Sequence, residues 1–386
     1  MKKRYYSWFC VICTVLLVFS GCSEERKAST PEEVPPTLTI TAELPSEYPE
    51  TATKYQADWC NVNEQSAVTA FMRQEPTQRE VWAQGPTLRA EADGVEETLV
   101  LLQTVTPGGL IYHWKTAESE KIENVCDNLR KMRPWEYSGD LVSQTLGTLE
   151  MEEYPAEEDL SFLPYEEAKS HLEETMTACG MPSVELYFSE SHTVKVMNGN
   201  REIYNNALAR PENAWMTGPD GEKTFDELTQ EDEHYYFNYR QVQDGIPFTS
   251  AKWPRSLSSG TTENNIAAIV SKDGLLELNV RGMFAVGAAM DTCEIISPQE
   301  AVNVYLEEYT QAIHFENTRI TGVELNYVVV KDGESYVARP AWMLTMETDK
   351  TTEGTDARPG TPYVEFQTLA VSADTGIILE RETDTR

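Results

Sequence analysis

Two Asp-Gly pairs, Asp273-Gly274 and Asp332-Gly333, each stand between short apolar runs. Asp-Gly supplies the positive φ that a two-residue hairpin turn needs, so each pair makes its flanking runs antiparallel. The spacing predicts strands Ile266–Val270 and Leu275–Val280 around the first pair, and Leu325–Val330 and Tyr336–Ala338 around the second. A further hairpin is expected where Thr368–Ser372 and Ile377–Glu380 flank Ala373-Asp374-Thr375-Gly376.

Helical spacing precedes these hairpins twice. Pro164-Tyr165-Glu166-Glu167-Ala168 opens one helix, in which Ala168, Leu172, Met176 and Cys179 share a face. Ser297-Pro298-Gln299-Glu300-Ala301 opens the other, with Ala301, Val304, Tyr305, Tyr309 and Ile313 in register. Ser297 and Glu300 have the spacing of a capping box, and Pro298 suits the first helical position. The helices lead into similar strands, Val184-Glu185-Leu186-Tyr187 and Val323-Glu324-Leu325-Asn326-Tyr327. The expected fold class is therefore α+β, built of repeated units of a helix packed on an antiparallel sheet. Upstream, Thr37–Leu44 reads as a strand. Thr106-Pro107-Gly108-Gly109 reads as a turn between the strands Leu99–Thr104 and Leu110–Trp114. Ile122, Val125, Cys126, Leu129 and Met132 follow at helical spacing, and Glu150–Asp159 reads as an acidic linker.

The N-terminus carries its own signal. Lys2, Lys3 and Arg4 precede an apolar run from Trp8 to Phe19, and Ser20-Gly21-Cys22 follows. The run is shorter than the ~20 residues a membrane-spanning helix needs. The segment resembles the bacterial lipoprotein signal, with Phe19 where that family usually has Leu. The resemblance implies removal of residues 1–21 and lipidation of Cys22 (palmitate among the acyl chains), which would anchor the chain to the cell membrane on its extracytoplasmic face. The expected division is a signal peptide at 1–21, a flexible linker at 22–37, an N-terminal α+β domain at 38–155, a first helix-on-sheet unit at 160–290 and a second at 291–386. The formal net charge of −33 repels nucleic acid and anionic lipid headgroups. Contact with the membrane is thus expected through the lipid alone.

The second unit adds Arg339-Pro340-Ala341-Trp342 and the Ala373-Asp374-Thr375-Gly376 turn to its helix and strand, and the first carries Asp244-Gly245-Ile246-Pro247. Residues 160–386 resemble the PepSY-type domain and the extracellular regulators YycH and YycI of Gram-positive bacteria. The chain as a whole resembles uncharacterised lipoproteins of gut Firmicutes. The resemblance implies a PepSY-like architecture and regulatory or inhibitory binding outside the membrane. Its motifs are turns, caps and a core Trp, so it transfers no catalytic residue.

Chemistry-bearing patterns are absent from the sequence. There is no G-x-S-x-G elbow, S-x-x-K pair, H-E-x-x-H, EF-hand loop or P-loop. The five histidines, His113, His171, His192, His234 and His314, are scattered. Glu231-Asp232-Glu233-His234 reads as a solvated loop or helix start. Beyond Cys22 and the leader, Cys60, Cys126, Cys179 and Cys293 are candidates for two disulfides, with buried free thiols as the alternative. Trp342 reads as core, and Trp253, in a Ser- and Gly-rich stretch, is the candidate ligand contact. The expectation is a non-enzymatic module without cofactor or metal that binds an envelope protein or peptide. The alternative is a solute- or glycan-binding lipoprotein, against which the antiparallel pattern argues.

Overall fold

The computed structural model describes residues 37–104, 107–130, 146, 149–217, 221–250, 264–311, 317–333, 335–351, 360 and 362–379. They form a mixed α+β fold of mostly antiparallel strands with few helices.

The larger sheet has nine strands. Its path runs β3 (Gln78–Trp82), β4 (Gly85–Ala92), β5 (Val95–Leu102), β6 (Gly109–Lys115), β11 (Gly274–Arg281), β10 (Asn265–Ser271), β8 (His234–Gln243) and β7 (Val184–His192), with β9 (Ile246–Pro247) beside the end of β8. Alternation along β8 divides its two faces. Tyr235, Phe237 and Tyr239 point to a core closed by Ala67, Val68 and Phe71 of α1 (Glu64–Phe71) and by Tyr165, Ala168, Leu172 and Met176 of α3 (Tyr165–Ala178). On the other face, Tyr236, Ile269 and Leu276 meet Ile122 and Cys126 of α2 (Ala117–Arg130). Behind it, Val125 of α2 joins Met197, Tyr204, Ala207 and Leu208 of α4 (Val194–Leu208) in a separate small core.

The smaller sheet has six strands. They are β1 (Leu38–Ile40), β13 (Thr318–Asp332), β14 (Ser335–Thr351), β2 (Thr51–Trp59), β12 (Phe284–Glu294) and β15 (Pro362–Ser372). Strand β14 is long enough for two partners along one side: Tyr336–Ala338 pairs with β2, and Ala341–Thr351 with β15. The β1–β13 pair is parallel. Helix α5 (Pro298–Gln311) packs Ala301, Val302, Tyr305 and Leu306 on Ile320, Tyr327, Trp342 and Leu344. Its capping box is formed: the Ser297 amide donates to Glu300 Oε2 at 2.8 Å, and the Glu300 amide to Ser297 Oγ at 3.2 Å. Trp342 is fully buried, meets Tyr48 edge-on and donates its indole N–H to the Ile296 carbonyl at 2.9 Å.

Hairpins form at both Asp-Gly pairs, with Gly274 and Gly333 at φ 88° and 63°, but Ser271 stands opposite Gly274 and Asp332 opposite Ser335, so in neither hairpin is the Asp-Gly pair itself the two-residue loop. Three larger expectations differ from the fold. The sheets cut across the segment 38–155. Its β1 and β2 join the C-terminal sheet, whereas β3–β6 extend the sheet of the 160–290 segment through the β6–β11 pair. The acidic stretch 150–159 is an ordered strap along β7. Ser191 N, Ser191 Oγ and Ser189 Oγ donate to the carbonyls of Pro155, Glu158 and Ala156 at 2.7, 2.7 and 2.8 Å. Charged side chains leave backbone carbonyls free to bind, so composition did not distinguish strap from linker. Helix α4 also interrupts the first unit between β7 and β8.

Two predictions follow from this packing. Trp342→Ala removes a buried ring and a satisfied N–H, and should cost about 3–5 kcal/mol in urea unfolding; a loss below 1 kcal/mol would mean that the site collapses around the gap. Asp374, in the last turn, receives Lys54 Nζ at 2.6 Å, with Arg339 Nη2 at 3.5 Å. Burial pushes its carboxyl up, but the hydrogen bonds from Lys54 and Ser372 and the charges of Arg339 and Lys54 outweigh burial and hold it below the ordinary value of 3.8. The folded chain therefore takes up this proton less readily than the unfolded chain. The stabilisation is complete above the ordinary carboxylate range and is lost as pH falls through the folded value. Asp374→Asn should flatten the fall of the urea midpoint below about pH 4; an unchanged acid limb would rule out this carboxylate as a contributor.

Candidate functional site

The densest assembly of ligating side chains among the described residues lies where α2 crosses the ends of β7 and β8. The register of that strand pair sets His192 directly opposite His234. Their rings lie 4.4 Å apart between centroids. Cys126, on the sheet-facing side of α2, places Sγ 2.9 Å from His234 Nε2. The ligating atoms of Cys126, His192 and His234 all lie within 4.8 Å of one another, with exposures of 1%, 2% and 0%.

Each histidine is held from its other side. The His234 ring donates through Nδ1 to the Asp232 carbonyl at 2.8 Å, which leaves Nε2 as the lone-pair nitrogen facing the thiol. His192 is bonded through Nε2 to Glu190 Oε2 at 2.8 Å, and its ring stacks on Tyr154 at 4.0 Å. Burial, and then the neighbouring His192, push the His234 imidazolium well below its ordinary pKa, so the ring is neutral at physiological pH. A nucleophilic role for Cys126 is disfavoured by geometry, because a substrate carbonyl has no route to a thiol that is 1% exposed.

The acidic run around His234 overlaps a short 3₁₀ turn, Gln230–Asp232; Glu231 is exposed as its sequence suggested, but Asp232 and Glu233 are buried rather than solvated. Asp232 accepts from Lys121 Nζ and from the Thr229 amide, both at 2.7 Å. Glu233 caps α4 by accepting from the Val194 amide at 3.1 Å and also accepts from Ser161 Oγ at 3.3 Å. Capping duties, which no residue-type count reveals, draw these carboxylates inward. Beside them opens a cleft of about 480 Å³ whose walls include Glu158, Asp159, Ser161, Thr193, Lys195 and Glu233.

Helix α2 serves a second, half-buried cluster one turn away. Glu123 faces His113 and Glu277, which are cross-strand partners on β6 and β11, and His113 Nδ1 lies 3.7 Å from Glu123 Oε1. No sequence motif announces either cluster, because strand register and helix crossing make both. The signal available in the sequence was the i, i+3 spacing of Glu123 and Cys126 on the predicted helix.

Of the site residues singled out from the sequence, Cys126 alone joins the first cluster. Cys22 and Trp253 lie outside the described residues. Cys60, Cys126, Cys179 and Cys293 form no disulfide with one another. Cys126 sits on the opposite face of the nine-stranded sheet from Cys60 and Cys179, so the sheet separates it from both. Cys293 lies on β12 and donates to the Ala52 carbonyl at 3.3 Å. Burial, with a lesser effect of Cys60, pushes the Cys179 thiol up to about 11. At pH 8 it should carry roughly a hundredfold less thiolate than an ordinary cysteine. Iodoacetamide should then modify Cys179 far more slowly in the native chain than in urea, as read by peptide mass spectrometry; equal rates would contradict its burial.

No helix among the described residues is long and apolar enough to cross a membrane. No protein-family profile matches the chain, and no curated protein matches it. Among solved structures it is similar to an uncharacterized protein from Eubacterium rectale ATCC 33656, solved at 1.45 Å. The TM-score is 0.56 at 12% identity, and the match covers 90% of this chain and 92% of that one. At that identity the likeness concerns the fold alone, a mixed α+β arrangement of mostly antiparallel sheets.

Proposed function

We propose that the chain is a membrane-tethered extracytoplasmic lipoprotein, anchored through Cys22, that binds an extended segment of an envelope protein without catalysis of its own. The observation that carries this reading is the free edge of the nine-stranded sheet. All five residues of β3 are exposed, Val81 to 68% and Trp82 to 61%, and the strand pairs only with β4 among the described residues. An edge of this kind accepts an added strand by backbone hydrogen bonding, with flanking side chains giving selectivity.

Two of the other edges are blunted. Strand β7 is bonded to the 150–159 strap, and β12 carries two register shifts that break its edge. The net charge of −33 favours a cationic partner segment. In the same proposal, α3 with β7, β8, β10 and β11 and α5 with β13–β15 are two PepSY-like units. The order helix, strand and hairpin, common to both, supports that assignment.

A photo-crosslinking residue placed at Val81, and separately at Met290 on β12, tests the reading in intact cells. A specific crosslinked partner at position 81 that is lost with Trp82→Ser is expected. Identical crosslinks from both positions, or none from position 81, would overturn it. Cys22→Ala in the same cells should move the chain from the membrane to the soluble fraction.

A further inference from the structure

We infer that Cys126, His192 and His234 form a binding site for one thiophilic transition-metal ion of the zinc class. Three independent elements supply the donors: α2, the end of β7 and the start of β8. One thiolate with two neutral imidazoles is a donor set that suits Zn²⁺, leaving a fourth position for water or another ligand.

The spacing is compatible with an ion. Zinc–sulfur and zinc–nitrogen distances of about 2.3 and 2.0 Å set tetrahedral ligand atoms roughly 3.5 Å apart. The three ligating atoms here lie within 4.8 Å of one another, and the Cys126–His234 pair, at 2.9 Å, need open only by about half an ångström. A ligating imidazole is oriented by an acceptor on its remaining nitrogen. Both rings have a candidate for that acceptor: the Asp232 carbonyl on Nδ1 of His234 and the Glu190 carboxylate on Nε2 of His192. His192 would then ligate through Nδ1. The arrangement also balances charge, because the cation offsets a thiolate in a pocket that is otherwise too dry for one.

An acidic cleft lies alongside. Thr193 and Glu233, the chain neighbours of His192 and His234, stand in the wall of the 480 Å³ cleft with Glu158 and Asp159. Acidic walls concentrate cations at the mouth. The second cluster, His113, Glu123 and Glu277, has no sulfur and is more exposed, so it serves as the internal control.

The test uses the purified chain, stripped with chelator and titrated first with Co²⁺ and then with Zn²⁺. One equivalent of Co²⁺ should give the near-ultraviolet thiolate-to-cobalt charge-transfer band and the visible bands of a four-coordinate ion, and Zn²⁺ should bleach both. Cys126→Ser should abolish the charge-transfer band. Glu190→Gln should weaken zinc binding by about 10–100-fold. His113→Gln should change neither. Zinc should also raise the melting temperature of the unaltered chain. Elemental analysis of chain isolated without chelator distinguishes zinc from copper as the native occupant. Absence of the charge-transfer band in the unaltered chain overturns the inference whatever the variants do. So does a band that survives Cys126→Ser, or binding that His113→Gln removes.

Discussion

The two sheets hold their mutual position through Arg240 and Gln241. Arg240, near the end of β8, donates from Nε to Glu185 on the neighbouring strand at 2.8 Å. Its two terminal nitrogens reach Glu324 on β13 of the other sheet at 2.8 and 2.6 Å. The guanidinium also lies 4.6 Å from the Tyr187 ring, and the residue is 8% exposed. Beside it, the Gln241 amide pairs with Phe284 in both directions, at 2.8 and 2.9 Å, as a backbone strand would. Planar, forked donors suit this geometry, in which the enclosed Arg240 reaches two carboxylates that are themselves partly exposed, Glu324 to 47%. The sheets are therefore joined by directional bonds as well as by the Phe248–Tyr327 contact.

Features set by neighbours in sequence were legible. The Asp273-Gly274 and Asp332-Gly333 turns, the Ser297–Glu300 cap and the burial of Trp342 depend on a few adjacent residues or on one large apolar side chain. Features set by distant pairing were not. The 150–159 strap looks like a linker because its cohesion lies in backbone carbonyls and in Ser189 and Ser191, which no charge pattern marks. The passage of β1 and β2 into the far sheet leaves no local trace, because an alternating strand does not name its partner.

The histidines carry the same lesson. His192 and His234 look scattered along the chain, yet the antiparallel register brings them opposite each other, and the crossing of α2 adds Cys126. The Glu231–His234 run attracted attention as the densest polar stretch. Asp232 and Glu233 are occupied with Lys121 and a helix end, Glu231 lies exposed beside Lys272, and the chemically distinctive residue is the histidine that follows them. Among the described tryptophans, exposure singles out Trp82, which sits on a sheet edge that sequence alone does not define.

The placement of β1 and β2 bears on how the chain reaches its fold as it is made. Thr41 bonds to the Ile320 carbonyl, 279 residues further on, and β2 is held between β12 and β14. A chain emerging from its N-terminus can complete the nine-stranded sheet once β11 is out, whereas β2 waits for β12 and β1 for β13, and β2 gains its second neighbour only with β14. Closing so large a loop is slow relative to forming hairpins, so the six-stranded sheet should assemble last. Any truncation before β12 would leave β1 and β2 as exposed strands with open edges, turning a missing C-terminus into a hazard at the opposite end of the molecule.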